Sequence, residues 1–362
     1  MSLFGRTNSS WSFSCCSMST PPPRRRPPWR RTAASADPSR SEREPVTLRG
    51  PIANSRHVSA RPRRRQAASA LFRTALACAL VATLALAVPR VIDAFRQPDG
   101  NRSVTKPTGS QPALAGLEAG ACMSFAPTHG RSNKTVFVDA GHGGLDPGVV
   151  GTSASGRTVQ EKDATLAVAT RLMAALRNDG YVVVMARTQD TTVIKLAATD
   201  SNYGAITSSG VHRDLAARAA CANAAGADVL VSIHFDGFSD PTVGGTETFY
   251  DAARPFAAAN RKLATSLQAA LVARLGVPDR GVWTDDQLAA PTLTISGKTY
   301  GHLIELGPPS AGWVDNPSQM PGALVEPLFV TNHSEAQVAS DPAGQDKIAQ
   351  ALESGLQKFF SN

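Results

Sequence analysis

The stretch VFVDAGHGGLDPG, residues 136–148, decides the fold of this chain. Its first half is a continuous apolar run, which is typical of a strand that is covered on both faces of a sheet. Its second half places His142 in a glycine-rich loop, where the backbone can turn sharply and little side-chain bulk surrounds the imidazole. We therefore expect a buried strand over 135–140 that delivers a histidine at its carboxyl end.

The rest of the chain beyond residue 134 alternates between strand-like and helix-like patterns. Apolar runs predict further strands, and amphipathic segments predict helices between them. This alternation predicts an α/β fold, a single domain over 134–362 with a mostly parallel central sheet flanked by helices. The predicted strands are 135–140, 181–187, 228–234 and 322–330, and the predicted helices are 161–180, 212–226, about 254–275 and 346–360.

The first part of the chain has a different composition. The formal net charge of +8 comes largely from arginines in residues 1–65, which we interpret as a disordered, basic Pro/Arg-rich tail. Acidic and basic residues roughly balance downstream, so the charge does not indicate nucleic-acid binding by the folded part.

An apolar segment, 66–89, follows the tail and predicts export. It contains 15 uncharged residues, 74–88, between arginines and Pro89, a length that suits a signal-peptide core better than a full membrane span. Ala85-Leu86-Ala87 offers a cleavage site, so a mature chain would start near Val88. The alternatives are an upstream start codon chosen wrongly or an uncleaved signal anchor that tethers the protein to the membrane. Residues 90–133 are rich in Pro, Gly, Ser and Thr and are interpreted as a linker.

Two of the five cysteines, Cys122 and Cys221, lie beyond the apolar segment. Two cysteines in an oxidising compartment can pair, so a disulfide between them is a hypothesis. Spacing alone does not establish the geometry that the bond requires.

Two histidines and one carboxylate form the candidate site. His142 and His234 each end a predicted strand, and ligands of open α/β sheets sit at the carboxyl ends of strands. Glu161 opens the helix between them, and two imidazoles with one carboxylate are a common catalytic zinc set that leaves a fourth position for water. Asp139 is expected to accept a hydrogen bond from a liganding imidazole. The remaining histidines of this region lack such a context and are interpreted as ordinary polar or capping residues: His212, His302 and His333.

The motifs together resemble the zinc-dependent N-acetylmuramoyl-L-alanine amidases of the amidase-3 type. The resemblance rests on VFVDAGHGGLDPG, QEKDATLAVATRL, GYVVVMARTQD, RDLAARAACANAAGADVLVSIH and GALVEPLFVTNHSEA, and runs from about Lys134 to the C-terminus. It implies hydrolysis of the amide between N-acetylmuramic acid and L-alanine in peptidoglycan, at the cell wall or in the periplasmic space, with one zinc ion per catalytic domain. It also implies that the zinc ligands are His142, Glu161 and His234.

The family's catalytic glutamate falls on Glu326, in the pattern V-E-x-x-F-x-x-N that Phe329 and Asn332 complete. Glu305 is the competing position, in a segment, 297–320, that is longer than is usual for the family. Two departures concern the site: Asp236 stands where asparagine is common, and Pro327 follows Glu326.

Two other functions remain open at this stage. One is a zinc hydrolase of the same fold that acts on another amide or peptide, and the other is a non-catalytic wall-binding relic. Nucleophilic serine catalysis is disfavoured, since the sequence contains no Gly-x-Ser-x-Gly. We further expect that the domain from about Lys134 is active alone.

Overall fold

The structure is a computed structural model that describes residues 109–288 and 299–361. The predicted tail, 1–65, and the predicted export segment, 66–89, lie outside these residues. Within the described ranges, no helix combines the length and the apolar character needed to cross a membrane.

A seven-stranded sheet forms the centre of the fold. Its strands are β1 (Ala121–Phe125), β2 (Thr135–Ala140), β5 (Val182–Arg187), β8 (Val229–Ile233), β9 (Thr246–Tyr250), β10 (Asp279–Thr284) and β11 (Gly322–Glu326). Two small hairpins lie outside it: β3 (Val150–Thr152) with β4 (Thr158–Gln160), and β6 (Ser201–Asn202) with β7 (Ala205–Ile206). The order across the sheet is β1-β5-β2-β8-β11-β9-β10. Four of its six strand pairs are parallel, and β1–β5 and β9–β11 are antiparallel, so the predicted mostly parallel α/β sheet is confirmed.

Helices cover both faces of this sheet. They are α1 (Glu161–Asn178), α2 (Ser208–Ala224), α3 (Ala257–Leu275), α4 (His333–Ser340) and α5 (Pro342–Ser361). Because side chains alternate along a strand, each central strand contributes to two cores. Val138 and Val231 belong to the core under α1, α3 and α5, whereas Phe137 and Leu230 belong to the core that contains Cys221 of α2.

Two element boundaries differ from the prediction for local reasons. Helix α2 begins at Ser208, four residues before the predicted start, because the Thr207 side chain caps it by accepting a hydrogen bond from the Gly210 N–H. Strand β11 ends at Glu326 and not at residue 330, since Pro327 has no N–H to donate to a neighbouring strand.

The segment 90–133, predicted as a linker, differs from that expectation over its described part. Strand β1 lies within it and pairs with β5, and Phe125 is buried in the core. A disulfide joins Cys122 of β1 to Cys221 of α2, with a Cα–Cα distance of 5.7 Å, which confirms the hypothesis that these cysteines pair. The folded unit therefore begins before residue 134. A five-residue strand among Gly and Pro residues is too short to stand out from a linker composition.

Candidate metal centre and cleft

The loop after β2 presents the first histidine. His142 has φ +61°, a left-handed conformation that is uncommon outside glycine, and Gly143 and Gly144 beside it also have positive φ. The His142 Nδ1 atom lies 2.8 Å from Asp146 Oδ2, and Asp146 Oδ1 accepts a hydrogen bond from the Gly148 N–H. The aspartate therefore fixes the ring so that Nε2 points away from it, toward the centre of the site.

Three side-chain atoms converge at this point. His142 Nε2 lies 3.0 Å from Glu161 Oε1, His234 Nδ1 lies 3.0 Å from the same oxygen, and the two ring nitrogens are 3.1 Å apart. Tetrahedral zinc with bonds of 2.0–2.1 Å separates its ligand atoms by about 3.3 Å. The donor set and its spacing therefore fit a zinc ion, and the structure brings together all three residues that the sequence predicted as ligands.

The carboxylate of Glu161 is held by the backbone. Its Oε2 accepts a hydrogen bond from the Val149 N–H, and its Oε1 accepts one from the Phe235 N–H. The side chain is 2% exposed, which would disfavour its charge, yet the imidazoles of His142 and His234 hold its pKa well below the usual range. Burial likewise disfavours charge on His142, but Glu161 and Asp146 raise the pKa of His142 to about 10. The imidazole of His142 and the carboxylate of Glu161 therefore stabilise each other's charged forms.

Asp139 does not have the role predicted for it. Its carboxylate is buried and accepts hydrogen bonds from Arg218 and from the Ser232 hydroxyl, and the hydrogen-bond partner of His142 Nδ1 is Asp146. Strand geometry explains the difference, because Asp139 lies within β2. Its side chain therefore projects from a face of the sheet and not into the loop that carries His142.

The buried Arg218 supports the histidine loop from below. Its guanidinium donates hydrogen bonds to the backbone oxygens of Ala140 (2.8 Å) and His142 (2.7 Å). It also forms ion pairs with Asp139 and Asp214, both buried. The sequence did not indicate this network. Arg218 lies on α2, 76 residues beyond His142, and nothing near it in the sequence distinguishes it from other helical arginines.

Glu326 lies beside this centre, at the carboxyl end of β11. Val325 pairs with Ile233, so the residues that follow, Glu326 and His234, emerge side by side. Among the described residues, Glu326 Oε2 is buried with no hydrogen-bond partner. Burial, followed by the nearby carboxylates of Asp236 and Glu161, raises the pKa of Glu326 well above the usual range.

Glu305 is also buried and lines the same cavity as Glu326. The Ser232 hydroxyl lies 3.4 Å from Glu305 Oε2. Burial raises the pKa of Glu305, and the next cause is the negative charge of Asp139, which belongs to the Arg218 network. Glu326, in contrast, is close enough to Glu161, one of the three candidate metal ligands, for the charge of Glu161 to raise its pKa. Glu305 Oε1, like Glu326 Oε2, is buried without a hydrogen-bond partner among the described residues, so the two glutamates differ mainly in the charged groups beside them.

The cavity beside the metal group has a volume of about 510 Å³, large enough to bind part of a polymeric substrate. Its polar lining includes His142, His234, Glu305 and Glu326. Apolar side chains from three parts of the chain also line it, namely Leu145, Ile206, Val211, Leu215, Leu303 and Trp313. A few polar groups among many apolar side chains are the usual composition of a ligand-binding cavity.

An α/β sheet that carries two imidazoles, a carboxylate and a buried glutamate at its strand ends is typical of a metal-dependent hydrolase. The family model for N-acetylmuramoyl-L-alanine amidase, Amidase_3, matches residues 136–358. The chain belongs to this family of enzymes.

The chain is similar to several named proteins. The chain is 30% identical to the N-acetylmuramoyl-L-alanine amidase LytC of Bacillus subtilis over 63% of its own length and 36% of LytC, so the match spans little more than a third of that relative. It is 30% identical to the germination-specific N-acetylmuramoyl-L-alanine amidase of Bacillus subtilis over 64% of the chain and 81% of the relative. A crystal structure of an N-acetylmuramoyl-L-alanine amidase from Clostridium difficile aligns with a TM-score of 0.45 and 28% identity, over 63% of this chain and 97% of that one.

Proposed function

We propose that this protein hydrolyses the amide bond between N-acetylmuramic acid and L-alanine in peptidoglycan, with one zinc ion held by His142, Glu161 and His234. The observation that carries the proposal is the convergence of three ligand atoms within 3.1 Å of one another beside Glu326, in a cavity of about 510 Å³. The activity for which the relatives are named supports the choice of substrate.

A bound zinc ion would polarise the amide carbonyl and lower the pKa of a water molecule. Glu326 is placed to take the proton of the attacking water and to return it to the departing amine of L-alanine. The oxygen of the water joins the carbonyl carbon, the carbon–nitrogen bond breaks, and the amine leaves with the returned proton. The same carboxylate thus acts as a base in the first transfer and as an acid in the second.

The proposal includes export, since the substrate lies outside the cytoplasmic membrane. The sequence of residues 66–89 supports it, as either a cleaved signal peptide or an uncleaved anchor. N-terminal sequencing of the protein from its native host tests this: a start near Val88 indicates cleavage, and an intact N-terminus on membrane-bound enzyme indicates an anchor. A full-length protein found only in the cytoplasm would contradict the proposal.

Digestion of purified sacculi, followed by mass analysis of the products, tests the activity. We expect free stem peptides that begin with L-alanine. Products cleaved at another amide would indicate the alternative hydrolase, and zinc binding without cleavage would indicate the wall-binding relic.

The roles of the two glutamates can be separated by matched substitutions. Glu326→Gln should keep zinc bound and lower turnover by about 10²–10⁴-fold, the usual effect of losing a general acid–base group. Glu305→Gln, the control in the same cavity, should be much milder. If the two effects are reversed, Glu305 is the base and our assignment of the late strand is wrong.

A further inference from the structure

A second group of potential ligands lies at the ends of β9 and β10: Asp251, Asp285 and His302. The two strands are parallel neighbours in which Thr284 pairs with Tyr250, so Asp285 and Asp251 leave the sheet side by side. His302 comes from the chain that follows residue 298. Each residue offers one ligand atom, and these atoms lie within 4.8 Å of one another. The group is distinct from the proposed zinc site, and, within the described part of the chain, it does not contribute to the cavity lining.

The hydrogen bonds of this group are incomplete. His302 Nδ1 lies 3.2 Å from Asp285 Oδ1 with hydrogen-bond geometry, and 2.9 Å from Asp251 Oδ2 without it. One ring N–H serves one acceptor well, so among the described residues Asp251 Oδ2 has no hydrogen-bond partner, although Asp251 is completely buried. A buried carboxylate oxygen without a partner is costly, and such an atom needs a proton donor or a cation.

The other oxygen of each carboxylate is fixed by the backbone. The Ala253 N–H donates to Asp251 Oδ1 (2.8 Å), and the Leu303 N–H donates to Asp285 Oδ2 (3.0 Å). These bonds leave Asp251 Oδ2 and Asp285 Oδ1 directed at the His302 ring. The guanidinium of Arg254 interacts electrostatically with Asp251, but both of its terminal nitrogens donate hydrogen bonds to backbone carbonyls. Within the described ranges it forms no ion pair with Asp251 or Asp285.

We propose that Asp251, Asp285 and His302 bind a second divalent transition-metal ion, of the Zn²⁺ or Mn²⁺ class. Two carboxylate oxygens balance the charge of such an ion, and an imidazole nitrogen selects it over Ca²⁺ or Mg²⁺, which prefer oxygen ligands alone. The backbone hydrogen bonds orient the ligands as they do in known metal sites. The ion would tie the ends of β9 and β10 to the segment that carries Leu303 and Glu305, two residues of the cavity wall. Its role is structural, and it is additional to the single zinc expected from the sequence.

Metal analysis in a background without the first site tests this inference. The full-length chain carrying His142→Ala and His234→Ala is loaded with Zn²⁺, dialysed and measured by mass spectrometry. We expect one equivalent of zinc to remain, against two in the unsubstituted protein. Adding Asp285→Asn should weaken the remaining Zn²⁺ affinity by at least about 100-fold, since it removes a ligand outright. Asp286→Asn, at the adjacent exposed residue, is the matched control and should keep the full equivalent.

Two results would overturn the inference. A background protein that binds no zinc would show that the three side chains form only a hydrogen-bonded group. Zinc that persists after Asp285→Asn would lie elsewhere. If Asp285→Asn does not fold, His302→Gln replaces it, and an anomalous-scattering peak at the zinc edge in crystals of the unsubstituted protein decides the question directly. These readouts do not depend on activity, so a failure of the proposed amidase function would be recognised separately.

Discussion

Reduction of the Cys122–Cys221 disulfide should destabilise the fold by about 2.7–3.7 kcal/mol. The bond closes a loop of 99 residues, and the chain-entropy model assigns about 4.7 kcal/mol to a loop of this length. Cys122 has φ +53°, and a non-glycine residue in the left-handed region costs roughly 1–2 kcal/mol, which reduction would allow the chain to relieve. The difference between the two gives the expected value.

Urea unfolding of the oxidised and reduced protein measures this effect. With a slope of about 2–3 kcal/mol/M, the unfolding midpoint should fall by about 1–2 M on reduction. The Cys122→Ala/Cys221→Ala variant is the control, since reductant must leave its midpoint unchanged. This variant should also lie about 1–2 kcal/mol below the reduced protein, because two buried sulfur atoms are lost from the core. A midpoint shift below about 0.3 M on reduction would refute the loop-entropy reasoning.

Three further substitutions test the site and its support. Burial and nearby negative charges, including that of Glu247, raise the pKa of Glu326. Because a base is active only above its pKa, Glu247→Gln should move the acidic limb of the kcat/KM profile to lower pH. An unmoved limb would show that Glu326 is not the titrating base. Arg218→Met leaves two buried aspartates without their cation, so it should lower the free energy of unfolding in urea by about 3–5 kcal/mol. A decrease below about 1 kcal/mol would contradict the supporting role of Arg218. A Cβ on Gly141 would lie 2.4 Å from His234 Cε1, so Gly141→Ala should displace the imidazole ring without changing any ligand. Zinc binding, measured by equilibrium dialysis, should weaken about 10–100-fold. An unaltered affinity would count against His234 as a ligand.

The sheet was predictable where its strands are mainly apolar. Strands β2, β5 and β8 each contain a run of at least three apolar residues, and each lies within two residues of the predicted bounds. Strand β9, with sequence TETFY, was missed because three of its four buried residues are polar and have distant partners. The Thr248 hydroxyl donates a hydrogen bond to Gln268, and Glu247 forms an ion pair with Arg280. Such partners belong to tertiary structure and leave no periodic pattern in the sequence.

The candidate site was predictable where strand ends deliver its residues. His142 and His234 were identified because each follows an apolar strand, and the ends of parallel strands meet at one edge of a sheet. His302 was interpreted as an ordinary polar residue, and nothing local indicates that two buried aspartates face it. The roles of Asp146 and Arg218 likewise depend on how the loop and α2 fold back, so they became visible only in the structure.

Strand β1 has a consequence for any shortened form of this protein. It pairs with β5 along the flank of the sheet and is locked there by the bond from Cys122 to Cys221. A fragment that starts at Lys134 would lack both, and it would present the backbone N–H and C=O groups of β5, an apolar strand, as an open template for another chain. We therefore revise the expectation that the domain from about Lys134 is active alone: a fragment that starts there should self-associate, whereas one that starts at Gly109 keeps β1 and the disulfide. The short segment ahead of the histidine loop thus covers the backbone groups of β5, an apolar strand that would otherwise lie at the edge of the sheet.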